Sequence, residues 1–266
     1  MSAISVPLRF AAAGRRAELR ELCGHDEQAV AGTGPADAIG LLDRILVAAP
    51  GDAVAPGTAV TLTVADRDRL LAAVHMNTYG SRVSTSVCCA GCKVVFDVDF
   101  SLAELQQHQD RGPQCRDIER RPDGSFRLAD GRRFRLPTGE DECAVLGMAP
   151  EEAEAELLRR CLFDGDPTRD NSDVDRLMED AGPVLALELT ASCPECGREQ
   201  SVYFDIQRYL LTALSQERHL LVHEIHMLAR AYGWSLTEIL GLPRSTRRGL
   251  VALIDAERLA GRETFA

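Results

Sequence analysis

The sequence predicts an α+β fold, mainly helical, in which two zinc-knuckle β-hairpins pair across the chain as a split zinc ribbon. Two stretches carry that reading. SVCCAGCKVVFDVDF (Ser86–Phe100) and LTASCPECGREQSVYFDI (Leu189–Ile206) share one order: an apolar, β-branched run, a Cys-x-x-Cys, then a second strand-like run. Each also holds a Phe-Asp pair, Phe96-Asp97 in the first and Phe204-Asp205 in the second, which this reading sets against each other. Capped helical periodicity fills most of the rest. A chain of 266 residues can bury a core without disulfides, so its nine cysteines are better read as thiols and metal ligands.

Four regions follow in order. Region 1–60 is an N-terminal module. Within it Arg15–Leu22 admits either a short strand or a helix start, and Pro35-Ala36-Asp37 opens an amphipathic helix burying Ile39, Leu42, Ile45 and Leu46. Residues 48–58, rich in proline and glycine, read as loop. Region 61–115 holds a helix over Leu62–Gly80, capped by Thr63 or Asp66, with Leu70, Leu71 and Val74 buried and Gly80 as its stop. The first cysteine hairpin follows, then a short helix with Ser101 and Glu104 as a capping box.

Region 116–183 reads as an insert. Arg116–Leu136 is basic, with turn signals at Pro122-Asp123-Gly124 and Asp130-Gly131, and predicts a small meander. Thr138 caps one helix and Pro150 opens another, acidic at its start and arginine-rich at its end as the helix dipole favours. Asp164–Asp180 is acidic but lacks the EF-hand spacing, so it reads as a solvated loop leading into a helix. Region 184–266 carries the second hairpin, then helical stretches over Ile206–Tyr232, Ser235–Leu240 and Ser245–Leu259.

The metal reading follows from thiol chemistry. A Cys-x-x-Cys in a tight turn aims two sulfurs at one point, and zinc takes four ligands in a tetrahedron. Ribbon pairs usually lie about 15–20 residues apart; the far longer gap here requires the inserted helical region. Cys89, Cys92, Cys193 and Cys196 are the predicted ligands of one structural zinc. Cys88 is assigned to the flanking strand, and Cys23, Cys115, Cys143 and Cys161 are isolated thiols. Three alternatives stand beside this: a redox dithiol at CPEC, knuckles that hold no metal, and separate sites completed by other ligands, with His75 and His108 nearest the first unit. The redox form wants a helix after the motif, whereas strand-like SVYF follows here. A closed four-cysteine site has no open coordination position, so its binding energy is folding energy.

Two further features invite a reading. His219, His223 and His226 share a helix face with the HLLVHEIH run and read as surface or interface histidines, a metal site being the alternative. Tyr232–Leu250 looks like a helix-turn-helix in which Arg244, Arg247 and Arg248 would contact phosphate; the plainer reading packs two helices and leaves the arginines on a wet face or a protein interface. The formal net charge of −11 argues against broad nucleic-acid binding. The N-terminal MSAISVPLRFAAAGRR shows no signal-peptide pattern, and no run approaches the about 18 apolar residues of a membrane span, so a soluble cytoplasmic chain is expected.

Several of these segments resemble one family. LTVADRDRLLAAVHMNTYGSRVSTSVCCAGC, FRLPTGEDE, LALELTASCPECGREQSVYFDI and HEIHMLARAYGWSLTEILGLP are similar to the baseplate hub assembly proteins of T-even-like phages, with relatives in contractile-tail prophages and contractile injection systems. The likeness runs from Leu62 to Ile254, and its C-terminal pattern lies on His226–Leu240 with Met227 at a variable position. The Cys88-Cys89 doublet departs from the usual apolar-then-cysteine order. The resemblance implies a non-enzymatic assembly factor or minor baseplate component. Its partners would be hub and spike proteins, met in the cytoplasm or in the assembled tail. It also implies a docking surface on the C-terminal helices, for which His226, Tyr232, Trp234, Arg244, Arg247 and Arg248 are the candidates. The rival readings are a zinc-containing DNA-binding regulator using 235–259 and, behind it, a thiol oxidoreductase.

Overall fold

The computed structural model describes residues 3–11, 16–51, 53–110, 118–163 and 172–263. The chain begins with an antiparallel pair, β1 (Ala3–Pro7) and β2 (Arg16–Arg20). The ambiguous Arg15–Leu22 stretch is a strand over β2, because Ala17 and Leu19 point inward with a period of two. α1 (Gly24–Ala29) and α2 (Pro35–Ile45) follow. Pro35 sits at the helix start as expected, and the Asp37 carboxylate accepts the Gly34 N–H.

A 3-10 turn (Ala59–Thr61) leads into α3 (Val64–Tyr79). Thr63 is its cap, its hydroxyl accepting the Asp66 N–H at 3.2 Å. Asp66 turns away instead and accepts the N–H groups of Arg9 and Phe10, both at 2.8 Å. Gly80 ends α3 with φ +88°, a conformation that favours glycine.

The first cysteine hairpin is β3 (Arg82–Cys88) with β4 (Val95–Ser101), followed by α4 (Leu102–Asp110). The basic segment forms the expected meander, β5 (Ile118–Arg120), β6 (Phe126–Leu128) and β7 (Arg133–Phe134). Three helices come next: α5 (Gly139–Ala144), α6 (Pro150–Cys161) and α7 (Ser172–Ala181). Of the acidic stretch, 164–171 lies outside the described residues and α7 takes most of the remainder. The second hairpin is β8 (Ala186–Ser192) with β9 (Glu199–Asp205). α8 (Ile206–Gln216), α9 (Arg218–Tyr232), α10 (Leu236–Gly241) and α11 (Arg244–Glu263) complete the chain. The helical stretch 206–232 is therefore two helices, broken at Glu217, whose carboxylate accepts hydrogen bonds from Tyr79, Arg244 and Arg248.

The architecture is thus helix-rich α+β, with four separate, small antiparallel sheets among the described residues. The main core joins the N-terminal module to α3 and α8, through residues such as Leu19, Leu42, Ile45, Leu70, Leu71, Leu210 and Leu211. The meander and α7 hold a second cluster around Phe126, Phe134 and Leu177. A third, small cluster lies at the two cysteine turns, and a fourth holds α9, α10 and α11 together.

The two cysteine units are repeats with one register. A shift of 104 residues carries β3 onto β8, β4 onto β9, and the first residue of α4 onto that of α8. The helix caps match: the Ser101 hydroxyl accepts the Glu104 N–H, and the Asp205 carboxylate accepts the Arg208 N–H. This register corrects the Phe-Asp pairing read from the sequence. Phe204 corresponds to Phe100, not Phe96, and these equivalent rings touch edge to face with centroids 4.9 Å apart. The mismatch arises from matching a dipeptide: aligning Cys89 with Cys193 and Cys92 with Cys196 already sets the 104-residue shift, which places Phe100 on Phe204.

Asp68, on α3, ties the first unit to the second. It is buried and accepts the N–H of Leu185, next to β8, at 2.9 Å. Burial pushes its carboxyl up to about 7, against the pull of nearby Arg67 and of that N–H. A carboxyl raised on folding stabilises fully below its unfolded value of about 4, and that benefit is lost as pH rises through about 7. Asp68→Asn keeps an acceptor for Leu185 and removes the titration. Urea unfolding across pH 4 to 8 is expected to show the variant gaining on the wild type as pH rises, by at most about 4 kcal/mol; a pH-independent difference would refute this.

Candidate metal centre

Each cysteine turn is built by the same two backbone hydrogen bonds. In the first, the Cys89 N–H reaches the Val94 carbonyl at 2.9 Å and the Lys93 N–H reaches the Cys89 carbonyl at 3.1 Å. In the second, the Cys193 N–H reaches Arg198 and the Gly197 N–H reaches Cys193, both at 2.9 Å. The residue after the second cysteine is left-handed in both, with φ +64° at Lys93 and +70° at Gly197. Glycine takes that shape freely, whereas lysine pays roughly 1–2 kcal/mol for it.

The two turns meet. The sulfurs of Cys89 and Cys196 are 3.6 Å apart, as are those of Cys92 and Cys193, and all four lie within 4.8 Å of one another. Both short contacts cross between hairpins, and the 104-residue shift exchanges one for the other, as a local two-fold relation requires. A tetrahedron with metal–sulfur bonds of about 2.3 Å has sulfur–sulfur edges of about 3.8 Å; a disulfide would need about 2.05 Å. The spacing suits four ligands around one ion, and the four cysteines could hold a metal. Sulfur tetrahedra of this kind suit zinc and iron.

Neighbouring groups fix the turns. Cys89 and Cys193 are buried on a small apolar floor with Phe96, Ala191 and Val202, while Cys92 and Cys196 face outward. Gln200 of β9 grips the other hairpin, its side chain accepting the Ala90 N–H at 3.0 Å and donating to the Cys88 carbonyl at 3.3 Å. Gly91 gives its N–H to the Cys89 sulfur at 3.3 Å, and a Cβ there would stand 3.0 Å from Arg198 Cδ. A side chain at this position would move the Arg198 side chain by a few tenths of an ångström.

The thiols titrate unequally. The Cys92 N–H, with that of Gly91, lowers Cys89 to about 6 despite burial. Cys92 is pushed up to about 12: the Val94 N–H pulls it down, but burial and the other three thiols outweigh that. Four sulfurs this close cannot all ionise without a cation among them, and a bound dication removes that conflict.

The remaining cysteines and histidines stand apart. Cys88 is exposed on β3, outside the set, as assigned. Cys23, Cys143 and Cys161 are isolated, burial pushing the Cys161 thiol up to about 12; Cys115 lies outside the described residues. Among the described residues the four cysteines form the one metal-competent group of three or more His, Cys, Asp or Glu. His75 is buried between Tyr79 and Tyr209, and His219, His223 and His226 are exposed along α9 without converging. The CPEC turn leads into β9 rather than a helix, and its sulfurs have their close partners across the interface.

The C-terminal candidates divide. His226, Tyr232 and Trp234 are exposed, the two aromatic rings stacked at 4.8 Å. Arg244 and Arg247, expected on a wet or docking face, are instead buried at 4% and 1% exposure. Both guanidinium groups pair with Glu27 of α1 at 2.9 Å; Arg244 also meets Glu217, and Arg247 meets Glu224. Arg248 is half-buried and pairs with Glu217 and Glu224 at 3.2 Å. Neither buried arginine can reach a phosphate or a partner. Sequence reasoning missed Glu27 and Glu217 because no local pattern links them to the arginines.

Two outcomes are expected. Arg247→Ala leaves Glu27 with Arg244 alone and Glu224 with Arg248 alone and lowers the unfolding free energy by about 1–3 kcal/mol, read from the urea midpoint; a change under about 0.5 kcal/mol, the surface range, would contradict the burial. Cys193→Ser lowers bound metal from about one ion per chain to none by inductively coupled plasma mass spectrometry and lowers the melting temperature, while Cys88→Ser changes neither. Metal content unchanged in Cys193→Ser would remove the site.

Comparison with protein-family models, with curated proteins and with solved structures finds no match for this chain.

Proposed function

We propose that this chain is a non-enzymatic assembly factor, or a minor structural component, of the baseplate hub of a phage-type contractile tail. In this reading Cys89, Cys92, Cys193 and Cys196 hold one structural zinc, and the two hairpins form a split zinc ribbon. The convergence of four sulfurs from turns about a hundred residues apart carries the zinc assignment. A set that supplies all four ligands leaves no position for substrate, so the ion staples the fold and does no chemistry. The likeness of Leu62–Ile254 to baseplate hub assembly proteins supports the partner class. The exposed Tyr232–Trp234 stack at the end of α9 supports a docking role for that end, since aromatic side chains dominate binding energy at interfaces. Burial of Arg244 and Arg247 in ion pairs weighs against the DNA-binding alternative.

Co-expression with the hub and spike proteins of a contractile tail tests the reading. The chain is expected to co-purify with one of them at defined stoichiometry, and Tyr232→Ala with Trp234→Ala is expected to weaken that association at least about tenfold, as loss of aromatic anchors does. Failure to bind either, together with salt-sensitive binding of duplex DNA, would replace the assembly reading with the regulator.

A further inference from the structure

A cleft of about 940 Å³ opens on the side of the molecule formed by α6, α7 and the second hairpin, and the sulfur site does not line it. Its apolar lining includes Leu157 and Leu158 from α6, Met178 from α7 and Leu187 from β8, all half-buried. Tyr203 of β9 also lines it and is 62% exposed. The space is several times that of one side chain, and its walls are helix faces and a strand rather than a closed pocket.

The charge on this cleft has one sign. Glu154 on α6 and Asp175 and Glu179 on α7 line it beside the leucines, and Glu188 lines it from β8. Glu188 accepts the Ser201 hydroxyl at 2.9 Å. Among the described residues, no lysine or arginine pairs with the exposed Glu154 and Glu179 or with the half-buried Asp175. The Asp175 carboxyl is raised by burial and then by Glu154 and Glu179, so the three acids repel one another. An apolar lining edged by unmatched carboxylates is complementary to an apolar surface edged by cations.

We propose that this cleft docks a cationic amphipathic helix from a partner protein, its leucine-like face against Leu157, Leu158 and Met178 and its lysines or arginines against Glu154, Asp175 and Glu179. The α6 residues Glu154, Leu157 and Leu158 follow helical i, i+3, i+4 spacing, as do Asp175, Met178 and Glu179 on α7. The α6 wall therefore offers two leucines beside one carboxylate, and the α7 wall one methionine between two, which is a surface that a helix laid in a groove can read. The inference uses neither the metal nor the baseplate assignment, and stands or falls separately from both.

The probe is a fluorescein-labelled 14-residue peptide of leucine and lysine in i, i+3, i+4, i+7 order, titrated with the full chain by fluorescence anisotropy. Saturable binding is expected, weakening as salt rises. Glu154→Lys with Glu179→Lys, and separately Leu157→Asp, should each weaken it at least about tenfold, as reversing complementary charge or breaking an apolar anchor does. Glu151→Lys with Glu152→Lys, on the same helix but outside the cleft, should leave it within about twofold. The circular dichroism spectrum and the melting curve of each variant report that the fold is kept. An equal loss with both charge-reversed pairs would mean attraction to the overall charge of −11 alone and overturn the proposal. So would the absence of binding, or a wild-type dimer by light scattering that Leu157→Asp makes monomeric, since a second copy would then be the occupant.

Discussion

Four thiols that repel one another when ionised are held within 4.8 Å by two facing turns. The apolar floor shared by those turns is small, a handful of residues around Phe96 and Val202. Gln200 adds a pair of hydrogen bonds, and Phe100 meets Phe204 at the far ends of the strands. The hairpins are two-stranded, and such sheets are marginal alone. The other ends of the hairpins are held by the main core, through Val83 and Phe204, and by the Tyr209 hydroxyl, which donates to the Ser84 carbonyl at 2.9 Å; α4 and α8 leave directly from those ends.

A second constraint acts at the other end of the main core. Two buried arginines at the start of α11 are matched by carboxylates from α1, from the α8–α9 junction and from α9. Backbone contacts reinforce the same joint: the Arg244 N–H reaches the Leu22 carbonyl, and Glu21 accepts both the N–H and the hydroxyl of Ser245. The last helices are thereby locked to the first sixty residues. Buried ion pairs of this kind cost desolvation and specify geometry more than they add stability. Here that geometry leaves the Tyr232–Trp234 corner facing outward on a fixed frame.

Local rules account for what was legible beforehand. Thr63, Pro35, Pro150 and Gly80 mark helix ends because caps and forbidden backbone angles act within one turn of chain. The hairpins and the meander were legible from alternation and turn residues, and the four converging cysteines from spacing and the chemistry of the thiol. What escaped was set by distant partners. Glu217 breaks a stretch that reads as continuously helical because Tyr79, Arg244 and Arg248 converge on its carboxylate. Arg244 and Arg247 read as surface charges because their counter-ions lie as far away as Glu27. The Phe-Asp pairing is different: it matched a dipeptide, whereas the cysteine register that sets Cys89 on Cys193 also sets Phe100 on Phe204, and those rings touch.

The local two-fold relation has a further meaning. Each short sulfur contact takes one member from either turn, so neither half of the chain owns a complete site. The arrangement is that of a dimer whose two subunits have been written into a single polypeptide. Fusion removes the concentration dependence that a separate pair would suffer. It also lets the halves differ where symmetry would have kept them alike, as at Lys93 against Gly197 and at Ser101 against Asp205. The first copy ends in the short α4, while the second runs on through α8 into the helices that carry the outward-facing aromatics.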